Sequence, residues 1–94
     1  MVEISEYELW ILCIDSLRYS MGRMSTAPSF TSDFIRRMFR HLDRPQIEQL
    51  RKEVEVELAL AARDGGYLGM KMDDDTWRQF VADCTMELEK RHDN

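Results

Sequence analysis

Two cysteines, two prolines and four glycines are all that the 94-residue chain holds of the residue types that staple or interrupt a fold. Cys13 and Cys84 stand far apart, with no CxxC spacing and no histidine cluster beside either. That excludes a disulfide framework and a zinc site and predicts two reduced, buried thiols. Long hydrophobic runs are missing too: the longest, Leu9 to Ile14, falls far short of the roughly 20 apolar residues of a spanning helix. The opening acids Glu3, Glu6 and Glu8 carry the wrong sign for a signal peptide. The chain therefore reads as cytoplasmic, with no membrane partner. Its length leaves room for one domain with one core, which excludes a large enzyme.

Positive charge is also scarce. Thirteen Lys and Arg face 18 Asp and Glu, a net charge of −5. The deficit lies in the second half: residues 1–52 carry 8 basic and 7 acidic side chains, residues 53–94 carry 5 and 11. Holding DNA or RNA depends on cations that displace counterions from phosphates. This balance argues against nucleic acid as the main partner and for an electropositive protein.

Helical punctuation is what the chain has in quantity. Ser5 followed three residues later by Glu8 has the form of a capping box. Trp10, Cys13, Ile14, Leu17, Met21 and Met24 then recur at three- and four-residue steps, predicting a first helix over 5–22 that closes at Gly22. A second helix is expected over 30–42, opened either by Pro28 at a first helical position or by Thr31 or Ser32 as N-cap. Its stripe is Phe34, Ile35, Met38, Phe39 and Leu42, with Arg36, Arg37 and Arg40 turned to water. Asp43 with Gln46 repeats the capping-box form, and Pro45 suits a first turn, so a third helix spans 44–64. Ile47, Leu50, Val54, Leu58 and Ala61 make its face, while Val56 and Leu60 fall off it and need a second contact. Gly65-Gly66 stops it, and the following loop carries apolar Tyr67, Leu68, Met70 and Met72 that must dock somewhere. Asp73, Asp74 and Asp75 supply cap and dipole charge for a last helix over 74–91 with the stripe Trp77, Phe80, Val81, Cys84 and Leu88. No strand alternation or repeat interrupts this pattern. The expected fold is all-α, a compact four-helix single domain spanning 1–94.

Catalytic candidates are thin. His41, in RHLDR at a helix end, fits a capping or solvated residue better than a general base, and His92 lies in the tail. Asp73 to Asp75 lack the alternate spacing, central glycine and closing glutamate of a calcium loop. The GGYLG run lacks the Lys-Ser/Thr and the preceding strand of a phosphate loop. These residues predict no catalysis, no metal and no cofactor. Two charged groups are left. Arg36, Arg37, Arg40 and Arg44, flanked by Asp33 and Asp43, could touch phosphates. Glu53, Glu55 and Glu57 of the third helix, with Asp73, Asp74 and Asp75, could compete for the lysines and arginines of a nucleic-acid-handling partner, with Tyr67, Leu68 and Met70 as apolar anchors.

Leu17, Arg18, Tyr19, Gly22, Arg23 and Pro28 form a motif that resembles the LRYxxGRxTxxP pattern of small phage and prophage accessory proteins, with Ser25 ahead of Thr26 so that the threonine falls one place late. The resemblance covers the first two thirds of the chain. In size, acidity and single-domain form such proteins are similar to the anti-CRISPR inhibitors that phages carry. The resemblance implies a phage-type anti-CRISPR protein in the host bacterial cytoplasm, not an enzyme, which binds a subunit of a CRISPR surveillance or effector complex and blocks its nucleic-acid binding by occlusion. Two alternatives stay open. One is a small DNA-binding regulatory protein that uses Arg36, Arg37, Arg40 and Arg44; the other is a self-associating phage structural component, a homodimer formed through Val56, Leu60 and the glycine-rich loop. The motif has a structural reading as well: Arg18 and Arg23 complement the end of the first helix and pair with Glu53 or Glu57, with Tyr19 half-buried and its hydroxyl hydrogen-bonded.

Overall fold

A computed structural model describes residues 3–22, 27–64 and 74–91. It is an all-α single domain of four helices, α1 (Glu6–Gly22), α2 (Pro28–Met38), α3 (Arg44–Asp64) and α4 (Asp74–Lys90), with a 3-10 turn at Phe39–His41. No strand occurs among the described residues, and no helix among them is long and apolar enough to cross a membrane.

Both capping boxes form. The Ser5 N–H donates to Glu8 Oε1 at 3.0 Å and the Glu8 N–H to Ser5 Oγ at 3.1 Å. These bonds, the backbone one foremost, hold the Glu8 carboxyl below its ordinary pKa. At the start of α3 the Asp43 N–H donates to Gln46 Oε1 and the Gln46 N–H to Asp43 Oδ1, both at 3.0 Å. The helix starts abruptly because two otherwise orphaned donors are satisfied at once.

The second helix opens by the first of the expected alternatives, two residues ahead of position 30, and ends short of 42. It opens at Pro28, whose missing N–H costs nothing in a first turn. Thr31 and Ser32 are therefore not caps; both are buried inside the helix. The α-helix ends at Met38 instead of continuing to residue 42. The chain tightens into a 3-10 turn, and Leu42 takes an extended conformation that leads into the Asp43 cap.

The stripes converge on one core. Cys13, Ile14, Leu17 and Met21 from α1 meet Ile35, Phe39 and Leu42, then Ile47, Leu50 and Val54 of α3, and Trp77, Phe80, Cys84 and Leu88 of α4. Trp77 sets its ring edge-on to Phe80, with centroids 5.8 Å apart, and Phe80 leans on Phe39 at 6.2 Å. Fully burying side chains of this size contributes roughly 1.5–3 kcal/mol each. Burial also raises both thiols, Cys13 to about 11 and Cys84 to about 12, so neither is a thiolate at neutral pH. Trp10, Phe34, Met38, Leu58 and Val81 pack against this core from its edge. Each of α1 and α4 packs against both α2 and α3, with α3 and α4 the most extensive pair.

Candidate functional site

The arginine group does not form one free positive face. Arg36, expected in water, reaches across to α4, where its Nη1 donates to Asp83 Oδ2 at 2.9 Å. Arg44 Nη1 donates to the Leu88 carbonyl at 3.0 Å. Arg37 stays on its own helix at 3.5 Å from Asp33, and Arg40 Nε donates to His41 Nε2 at 3.3 Å. Two of the four cations are thus spent fastening α4. Two more arginines do the same: Arg51 Nη1 donates to Thr85 Oγ1 at 3.2 Å, and Arg91 donates to the Leu42 and Phe39 carbonyls and to Glu87. The Phe39 carbonyl thus accepts from Arg91 as well as from the Leu42 N–H at 3.0 Å, and Arg91 also donates to the Leu42 carbonyl at the end of the 3-10 turn.

The acidic group is likewise divided. Arg18 forms a bidentate pair with Glu53, Nε to Oε1 at 2.8 Å and Nη2 to Oε2 at 2.7 Å, as the charge placement of the LRY motif predicts. That pair lowers the Glu53 pKa, with help from Gln49 at 2.7 Å, and raises that of Arg18. Glu57, one turn on, is raised, first by desolvation and then by the Glu53 charge, and its Oε2 is buried without a hydrogen-bond partner. Glu55 lies elsewhere. At about 100° per residue it stands about 160° round α3 from Glu53. There it lines a groove of about 520 Å³ between α3 and α4 with Leu58, Ala59, Ala62, Arg78 and Val81. The structure therefore brings Glu53 and Glu57 together on the α1 side and puts Glu55 on the α4 side. Asp74 opens α4 and Asp75 is exposed in its first turn. Tyr67, Leu68, Met70 and Asp73 lie outside the described residues, as do Arg23, Met24, Met72 and His92.

A third surface went unread in the sequence. Among the described residues, α2, α3 and α4 each expose one large apolar side chain, Phe30, Val56 and Met86. The segment 3–22 exposes five: Ile4, Tyr7, Ile11, Leu12 and Tyr19. Tyr19, expected half-buried, is 61% exposed, because it falls on the side of α1 opposite Leu17 and Met21. The same segment carries Glu3, Glu6, Glu8 and Asp15 against the single cation Arg18, itself paired with Glu53. One face of α1 enters the core and the other offers apolar and acidic groups side by side. Ile11 also edges a groove of about 450 Å³ between α1 and the start of α3, with Trp10, Ile14 and Pro45 in its wall. The signal was present in the run Leu9 to Ile14. Six consecutive apolar residues go well past a half turn of helix, so a one-sided helix must leave some outside.

Among the described residues no three His, Cys, Asp or Glu side chains come together in a group that could hold a metal. Comparison with protein-family models, with curated proteins and with solved structures finds no match to this chain.

Proposed function

We propose that the protein works by binding: it covers a basic surface of another macromolecule and keeps nucleic acid off it, in the manner of a phage-encoded anti-CRISPR inhibitor acting on a surveillance or effector complex. The observation that carries this reading is the outer face of α1, where Tyr7, Ile11, Leu12 and Tyr19 stand exposed among Glu8 and Asp15. Exposed aromatic and aliphatic groups supply contact area that water would otherwise cover, and acids beside them select a basic partner. Net negative charge adds long-range attraction to a surface that has evolved to attract phosphates. The resemblance of the LRY motif to phage accessory proteins supplies the class of target. The binding face moves from the acids of α3 to α1, because Glu53 is held by Arg18 and Glu55 faces away from it.

Against a DNA-binding regulator stands the engagement of Arg36 and Arg44 with α4. The test is plaque formation by CRISPR-targeted phage on immune cells expressing the protein, across several CRISPR types, with untargeted phage as control. Restored plaques in at least one type are expected. Absence of rescue in all types, with the protein expressed and folded, overturns the inhibitor reading.

A further inference from the structure

We infer that the outer face of α1 receives a helix of the partner that carries two cations about two turns apart, flanked on both sides by apolar residues. The inference deepens the binding reading above by naming what the partner presents. At about 100° per residue, Glu8 and Asp15 fall on one line of α1, with Tyr7 and Ile11 to one side of it and Leu12 and Tyr19 to the other. All six are exposed. Seven residues separate the two acids, which is about 10.5 Å along the axis. The face is thus an acidic row between two ridges, apolar but for Arg18, which follows Ile11 beside Asp15 and is held by Glu53; it is the inverse of the common amphipathic helix, whose apolar centre is flanked by charge.

Chemistry then restricts the occupant. Covering the ridges takes the acidic row out of water, and a buried carboxylate without a compensating cation is strongly disfavoured. An apolar partner helix is excluded by that cost. A second copy of this chain is excluded more strongly, because a two-fold pairing of α1 faces brings two Glu8 and two Asp15 against one another. Nucleic acid is repelled by the same carboxylates. A helix with Arg or Lys at positions seven apart places its cations over both acids while its neighbouring apolar residues settle on the ridges. Glu8 is suited to stay ionised there, since the Ser5 N–H already bonds its Oε1 and fixes the carboxylate.

The probe is a synthetic helical peptide with two arginines seven residues apart and leucines on both flanks, titrated into isotope-labelled full-length protein and followed by NMR. Its twin carries glutamate in place of both arginines. Amide shifts centred on Ile11, Leu12, Asp15 and Tyr19 are expected, with affinity at least about tenfold weaker for the twin and for Asp15→Lys. Met86→Lys, on the outside of α4, should bind as wild type. Shifts centred on another helix, equal affinity for both peptides, or no binding at millimolar peptide overturns the inference, as does a dimer formed through α1. No CRISPR complex enters this titration, so a peptide that binds while plaques are not restored faults the inhibitor reading alone. Plaques restored by a protein that ignores the peptide fault the helix inference alone.

Discussion

Helices α1 and α4 have the same length and sit in similar positions, each packed on both α2 and α3, yet they are held in opposite ways. Helix α4 is fastened from outside its apolar stripe: Arg36, Arg44 and Arg51 reach it from α2 and α3, and Arg91 returns from its end to the carbonyls of Phe39 and Leu42. Among the described residues Met86 is the large apolar side chain that it exposes. Helix α1 has its buried stripe and the Arg18–Glu53 pair, and keeps a second set of apolar residues in water. Cross-ties without spare surface mark a scaffold; spare surface with few ties marks an element free to meet a partner. On the binding reading proposed above, support and recognition are divided between two helices of equal length, of which α1 is the more apolar.

The largest break in that comparison should come from the scaffold. Trp77→Ala empties the first position of the α4 stripe and is expected to cost about 3–5 kcal/mol in urea unfolding, a large share of what a domain of this size possesses. Arg91→Ala comes next. Taking this donor from the Leu42 carbonyl, and leaving the Phe39 carbonyl with the Leu42 N–H alone, should cost about 1–3 kcal/mol and loosen the turn between α2 and α3, visible as faster amide exchange at Leu42.

The Arg18–Glu53 pair of α1 is worth less, because the Arg18 side chain is half exposed. Arg18→Ala should cost about 0.5–1 kcal/mol, and a double-mutant cycle with Glu53→Ala isolates the pair. Glu53 has its folded pKa lowered by Arg18, so its contribution is present above the ordinary carboxylate range and is lost as pH falls through it. The gap between wild type and Arg18→Ala should therefore close in acid. Glu57 has the opposite sign. Its folded pKa is raised, so its charge opposes folding at neutral pH and protonation relieves it. Glu57→Gln should stabilise slightly at pH 7, by about 0.5 kcal/mol, and the gain should vanish at low pH. Smallest of all, Leu12→Lys and Tyr19→Lys should leave stability within about 0.5 kcal/mol of wild type, since both sites are exposed and lysine suits a helix. An unfolding midpoint that falls well beyond that range would mean these side chains hold α1 in place.

Most of the fold was legible in local sequence. Ser5 with Glu8 and Asp43 with Gln46 are caps written in four residues, and Ile47, Leu50, Val54 and Trp77, Phe80, Cys84 are core positions that helical spacing alone identifies. The end of α2 was less legible, because a 3-10 turn at Phe39 keeps the apolar spacing of a helix while changing its pitch. The arginine ties to α4 could not be read, although the Arg18–Glu53 pair was. Arg36 with Asp83 and Arg91 with Leu42 join residues 47 and 49 places apart, and no local period records such pairs. The candidate face on α1 was missed for another reason. Periodicity picks out the residues that fit one stripe, and Tyr7, Ile11, Leu12 and Tyr19 are the ones left over.

The most direct test of the division between the two helices compares their outer faces in one assay. CRISPR-targeted phage would be plated on immune cells expressing wild type, the α1 variant Leu12→Lys with Asp15→Lys, or the α4 variant Met86→Lys, each first shown to fold. Recognition through α1 predicts plaques with wild type and Met86→Lys and their loss with the α1 variant. Equal rescue by all three would contradict it.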